Sequence, residues 1–312
     1  MVAGAPADPS VRLRDVTLRD GLQDESPVST EAKLSLYEAL LAAGIRDLEL
    51  TSFVRADRIP ALADAEALVD MACTTDDAVV RWGLVLNRRG ADRALASGLR
   101  NLQFVFSVSE VHNRENAGRS VDESIAELAG IVAAARAAGA SVEVTLATAF
   151  GCPYLGPVPA AAVLAAAERS LAAGVDGIGL ADTIGTGVPT EVRRLVRDVV
   201  ALAGPVPLGL HLHDTRGLAL ANALVGLEEG AARLDGSVGG LGGCPFAPGA
   251  SGNLPLEDLA HALEAMGVRT GVDVDGLIDA AKLACALVGR PLETHVGVAG
   301  RRFATTEASH QA

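Results

Sequence analysis

Residues 207–215 read Pro207-Leu-Gly-Leu-His211-Leu-His213-Asp214-Thr215, an alternation that predicts a β-strand with one occupied face. On a strand, residues i and i+2 point to the same side. His211 and His213 therefore emerge together, just before a turn. Upstream, residues 190–203 have a helical pattern that stops at Gly204. The same alternation of strand and helix extends in both directions along the chain.

Strand-like segments fall at 11–18, 47–53, 80–87, 102–109, 142–150, 177–183, 208–214 and 233–239, with alanine-rich helical runs between them. Residues 30–43 predict a helix with Thr30 as N-cap and Gly44 as stop. The runs 121–138 and 160–173 likewise end at Gly139 and Gly174. Eight β-then-α units in succession predict an α/β chain folded as a (β/α)8 TIM barrel. The rival, a doubly wound open sheet, is disfavoured because no GxGxxG loop follows the first strand. Residues 256–266 and 274–287 add C-terminal helices beyond the barrel. With no linker or charge block dividing the chain, a single catalytic domain is expected over 8–300, with flexible tails at 1–7 and 301–312.

The net charge of −13 lacks the clustered Lys and Arg that a nucleic-acid surface needs. Four cysteines lie far apart with no CxxC pair, which argues for a reduced, cytoplasmic setting over a disulfide scaffold. Residues 1–10 lack the basic start and apolar core of a signal peptide, and charges or glycines interrupt every apolar stretch before it reaches membrane length.

Barrel active sites are built at the C-terminal ends of the strands. Those ends offer Arg19, Asp20 and Gln23; then Glu49, Thr51 and Ser52; then Tyr154, Asp182, His211, His213 and Asp214. The eighth leads into the glycine loop 239–243 and Cys244, followed by Asn253. Two imidazoles with Asp20, and Asn253 as a fourth oxygen donor, suit a divalent cation of the Mg2+, Mn2+, Co2+ or Zn2+ class. The competing reading is that one of the histidines is buried and hydrogen-bonded without metal. Arg19 is placed to grip a carbonyl or carboxylate oxygen, or alternatively to pair with Glu49 at the rim. Glu49 would then orient Arg19 or Asp20. Asp182 either orients a ligand or caps the following helix. Cys244, delivered by a glycine loop, is a candidate proton donor, against the common fate of a buried thiol.

These motifs resemble those of the hydroxymethylglutaryl-CoA lyase family. The resemblance is carried by Asp15-Val-Thr-Leu-Arg19-Asp20-Gly-Leu-Gln23, Leu48-Glu49-Leu-Thr-Ser52-Phe53, Gly151-Cys-Pro-Tyr154, Leu180-Ala-Asp182-Thr-Ile-Gly185, His211-Leu-His213-Asp214-Thr215 and Gly240-Leu-Gly-Gly-Cys244-Pro through Asn253, in order across nearly the whole chain. It implies Mg2+ or Mn2+ on Asp20, His211, His213 and Asn253, and catalytic roles for Arg19, Cys244, Asp182, Glu49 and Gln23. Arg19, Ser52 and Tyr154 are the expected substrate contacts. The implied reaction splits 3-hydroxy-3-methylglutaryl-CoA into acetyl-CoA and acetoacetate, with His211 and Asp20 both open as the base. An acyl-CoA substrate, a homodimer and a place in leucine breakdown follow as family expectations. The alternative is a Claisen-type synthase or aldolase of the same superfamily acting on a 2-oxo acid. Ser26, Gly179, Leu155 and the Gly289-Arg290-Pro291 stretch depart from the familiar pattern, which leaves the acyl group open.

Overall fold

The computed structural model describes residues 11–73, 78–243 and 252–303. Eight parallel strands close into a barrel in sequence order, the last pairing with the first. They are β1 (Arg12–Asp15), β2 (Asp47–Ser52), β3 (Val80–Val85), β4 (Asn101–Ser107), β5 (Ser141–Ala147), β6 (Gly177–Asp182), β7 (Leu208–Leu212) and β8 (Arg233–Gly236). Between them run α1 (Thr30–Ala42), α2 (Ala65–Ala72), α3 (Arg88–Ala96), α4 (Glu110–Ala117), α5 (Val121–Ala137), α6 (Ala160–Ala172), α7 (Pro189–Ala203) and α8 (Ala219–Glu228). After the barrel come α9 (Leu256–Ala265), α10 (Val274–Val288) and α11 (His295–Ala299). The expected TIM barrel with added C-terminal helices is therefore present. No helix among the described residues is long and apolar enough to cross a membrane.

The strand alternation has a specific meaning here. One set of positions, such as Leu48 and Leu50 or Val142, Val144 and Leu146, belongs to the buried apolar core with the helices. The other set mixes polar and charged residues with small and apolar ones such as Gly209, Trp82 and Leu84. Arg14 on β1 donates through Nε to Asp47 on β2 (2.6 Å) and through Nη1 to Gln103 on β4 (3.2 Å) and Glu143 on β5 (2.9 Å). Contacts between β1 and β5, on opposite sides of a closed sheet, run through the barrel interior. Arg233 on β8 reaches the same Glu143 at 2.5 Å and holds Asp235 at 2.7 Å. Trp82 closes this layer, with the Arg14 guanidinium carbon 4.1 Å from its ring centroid.

Several strands are shorter than their patterns suggest, for identifiable reasons. The first ends at Asp15 rather than 18, because the Asp15 carboxylate accepts from Thr17 N (3.0 Å) and Thr17 Oγ1 (2.6 Å) and folds the chain back. Thr17–Gly21 becomes a wide helical turn, with Gly21 N donating to Val16 O and Leu22 N to Thr17 O. The eighth ends at Gly236 rather than 239, because Ser237 bonds across to the incoming segment at Leu254 and Leu256. The cap of α1 is Ser29, which accepts from Ala32 N, whereas the Thr30 hydroxyl donates to Asp64.

Removing the Arg14 charge leaves the Asp47 carboxylate without this buried guanidinium partner. Breaking one side of a buried ion pair typically costs about 3–5 kcal/mol. Arg14→Met should destabilise the fold by that order in urea unfolding followed by circular dichroism. A loss within about 0.5 kcal/mol, the range of an ordinary surface substitution, would show that the interior network does not support the barrel.

Candidate active site

The turn Thr17–Gly21 carries Arg19 and Asp20 to the C-terminal mouth of the barrel. Asp20 Oδ2 lies 3.3 Å from His213 Nε2 and 3.8 Å from His211 Nε2, and the two Nε2 atoms are 3.3 Å apart. One ligand atom from each of these three buried residues lies within 4.8 Å of the others. Asn253 completes the group by tertiary pairing. The segment after the glycine loop runs antiparallel to the end of β7, with Leu254 N donating to Leu212 O (2.9 Å) and Asp214 N to Gly252 O (3.0 Å). Asn253 Nδ2 donates to Asp20 Oδ2 (2.7 Å) and Leu241 O (3.0 Å). Its Oδ1 is buried without a hydrogen-bond partner among the described residues. A buried carboxylate and two convergent imidazole nitrogens form a donor set that fits a divalent cation, and Asn253, which meets Asp20 through Nδ2, carries a further buried oxygen without a partner among the described residues.

Burial alone would raise the Asp20 carboxyl, but Arg19 and then the two histidines outweigh it and hold Asp20 well below the usual range. Arg19 pairs with Asp20 through Nη1 and with Glu49 Oε2 through Nε at 2.5 Å. The rim pairing with Glu49 is thus present, and it leaves Arg19 at the cavity wall. That cavity measures about 960 Å3, and its wall includes Arg19, Asp20, Gln23, Glu49, His211 and His213. Its size suits a large organic ligand. Gly243 also lies at the wall. Cys244, which follows it in sequence, lies outside the described residues.

Other expected residues take different places. Asp182 is buried, and its carboxylate accepts from Thr186 N (2.9 Å) and Gly187 N (2.8 Å), tying down the turn after β6. Burial raises its pKa against those two donors. It does not cap α7, whose N-cap is Val188. Ser52 is buried, with no hydrogen-bond partner for its hydroxyl among the described residues. Tyr154 is 46% exposed, its ring 6.0 Å from that of His112. Neither residue contributes to the described cavity wall, whereas His112 does. At Gly179 a Cβ would lie 2.6 Å from Thr145 Oγ1, so a threonine on the neighbouring strand fills the space of the absent side chain.

Residues 10–284 match the HMGL-like family. The chain belongs to the HMGL-like family. It is 40% identical over 301 residues to (R)-citramalyl-CoA lyase of Chloroflexus aurantiacus, covering 93% of this chain and 95% of that one. It is 39% identical to a hydroxymethylglutaryl-CoA lyase of Bacillus subtilis, covering 92% and 96%. Among solved structures, an HMG-CoA lyase from Acinetobacter baumannii in complex with coenzyme A and 3-methylmalate superposes with a TM-score of 0.91 at 38% identity, over 95% of this chain and 97% of that one. These relatives are carbon–carbon lyases by name, and the chain is an enzyme of that class.

Glu257 does not stand out in the sequence, and Asp15 appears there only as part of the Arg19-Asp20 motif, yet both support this HMGL-like site. Glu257, on α9, accepts from Gly239 N (3.1 and 3.2 Å) and from Thr294 Oγ1 (2.6 Å), joining the stem of the glycine loop to the C-terminal segment. Asp15 shapes the turn that carries Arg19 and Asp20, and burial raises its carboxyl to about 7 against the Thr17 donors. Burial likewise raises the Glu257 carboxyl to about 7, opposed by Thr294. A raised carboxyl favours the folded state fully below its ordinary pKa of 4.5, and that contribution is lost as pH rises through about 7. Glu257→Gln cannot titrate. Its stability relative to the parent chain should therefore rise between pH 4.5 and 8 by a few kcal/mol, since each pKa unit is worth about 1.4 kcal/mol. Urea unfolding of both chains at the two pH values measures this; a constant difference would show that Glu257 does not retain its proton in the fold.

Proposed function

We propose that this chain is a divalent-cation-dependent acyl-CoA lyase that cleaves 3-hydroxy-3-methylglutaryl-CoA to acetyl-CoA and acetoacetate. The observation that carries the reading is the convergence of Asp20, His211 and His213 beside Arg19 on one wall of a large cavity at the barrel mouth, in a chain of the HMGL-like family. Asp20, His211 and His213 would hold the cation, with the Asn253 amide oxygen as the fourth donor. A bound Mg2+ or Mn2+ supplies Lewis acidity that lowers the pKa of the tertiary hydroxyl.

His211 or Asp20, the two candidate bases, takes the hydroxyl proton, and the resulting alkoxide collapses to a ketone. The bond between C2 and C3 breaks, and its electron pair passes to the thioester as an enolate. Arg19, oriented by Glu49 and Asp20, donates to the developing oxyanion, a contribution of about 3 kcal/mol for one well-placed donor. Cys244 returns a proton to the enolate carbon and acetyl-CoA forms. Its place directly after Gly243, itself at the cavity wall, supports that role. Glu257 holds the stem from which this loop departs.

A second reading keeps the chemistry and shortens the substrate by one methylene. Citramalyl-CoA carries its carboxylate directly on the carbinol carbon, and the same cleavage yields acetyl-CoA and pyruvate. The 40% identity to a citramalyl-CoA lyase favours it, as does the A. baumannii enzyme's complex with coenzyme A and 3-methylmalate, a five-carbon hydroxydiacid.

Purified protein given each thioester with Mn2+ separates these readings by acetyl-CoA release. Turnover of the methylglutaryl substrate should vanish with EDTA and fall about 10²–10⁴-fold in Cys244→Ala, the range for losing a general acid. Preference for citramalyl-CoA would select the second reading. Inactivity on both, with the cation bound, would reject the lyase assignment for these acyl groups.

A further inference from the structure

Strand β8 carries Arg233-Leu234-Asp235, and the i, i+2 spacing turns both charged side chains into the barrel. The register of β7 against β8 sets Gly209 beside Arg233 and His211 beside Asp235. A Cβ on Gly209 would lie 2.3 Å from the Arg233 guanidinium, so the guanidinium occupies space that only glycine leaves open. Through that space Arg233 Nη1 reaches Glu143 Oε2 at 2.5 Å, while its Nε donates to Asp235 Oδ1 at 2.7 Å. Arg233 Nη2 also donates to Asp235 Oδ2 at 3.5 Å, so the guanidinium grips both oxygens. The same Oδ2 lies 3.7 Å from His211 Nδ1. Arg233 and Asp235 are 2% and 3% exposed, and Asp235 and His211 both contribute to the cavity wall, so this contact lies at the floor of the cavity.

His211 meets Asp20 and His213 through its other nitrogen, Nε2. A carboxylate at Nδ1 selects the imidazole tautomer with its proton there and leaves the Nε2 lone pair free to ligate. The two histidines differ in this respect: a carboxylate oxygen faces His211 Nδ1 at 3.7 Å, whereas His213 Nδ1 is buried without a hydrogen-bond partner among the described residues.

We propose that Asp235 is a positioning residue for the metal centre: it holds His211 with the proton on Nδ1 and Nε2 toward Asp20 and His213, and Arg233, seated over Gly209, holds Asp235 in turn. The proposal rests on the metal-dependent reading given above and adds the part of the barrel interior that tunes the site.

Mn2+ binding to Asp235→Ala and Asp235→Asn, titrated by calorimetry without substrate, tests it. Affinity should fall about 10–100-fold in the alanine variant, the usual effect of removing a partner behind a ligand. The asparagine variant should lose less, because its amide oxygen can still accept from Nδ1. At saturating Mn2+ the activity of both should recover further than their affinity. Nitrogen NMR of the metal-free parent chain, where no cation forces the tautomer, should show neutral His211 protonated on Nδ1, which decides the matter even where the alanine variant does not fold. Mn2+ affinity unchanged in the folded variants, or a neutral His211 with its proton on Nε2 in the metal-free parent, overturns this proposal alone. A parent chain that binds no Mn2+ rejects the metal reading and this proposal with it.

Discussion

The buried ion network inside the barrel is the constraint on which the rest depends. Two guanidinium groups, Arg14 and Arg233, meet three carboxyl groups, Asp47, Glu143 and Asp235, where barrels more often stack branched apolar side chains. Such a network is weak evidence for extra stability, because desolvation offsets most of the Coulombic attraction. Its effect is directional. Each member fixes the position of its neighbour across strands distant in sequence, and the uppermost member, Asp235, faces a histidine of the functional site. Glycines make the arrangement possible: added side chains at Gly177 and Gly209 would collide with Glu143 and Arg233.

Above that layer, positive and negative groups are arranged so that neither is satisfied in isolation. Arg19 is shared between Asp20 and Glu49, while Asp20 is shared among Arg19, the histidines and Asn253. Pre-set donors and acceptors of this kind need little reorganisation when charge develops on a substrate, which is the physical basis of electrostatic catalysis. The surrounding turns are held from behind by carboxylates that never reach the cavity: Asp15 under the Arg19 turn, Asp182 under the turn after β6 and Glu257 under the glycine-loop stem.

Much of this was legible in the chain. The eight alternating segments carried the barrel, because outward strand positions must be apolar to pack on helices whatever lies inside. Asp20, His211, His213, Arg19 and Glu49 were legible because strand ends of a closed barrel converge on one mouth. The strand ends themselves were misjudged where a side chain competes with the ladder, as the Asp15 carboxylate does with Thr17. Arg14, Glu143, Arg233 and Asp235 left a trace in charged residues at alternate positions of buried strands, but their partners lie up to 129 residues away.

Local pattern alone determined the order of strands and helices, the face shared by His211 and His213, and the residue types fit to bind a cation. Periodicity and side-chain chemistry are properties of a few neighbouring residues, so they survive in the text of the sequence. Only the tertiary structure decided that Asp235 stands behind His211, that Asn253 reaches Asp20, and that Asp182 serves its own turn while His112 lines the cavity. Those outcomes depend on barrel register and on which space a missing side chain leaves open, and both are set by closure of the whole sheet.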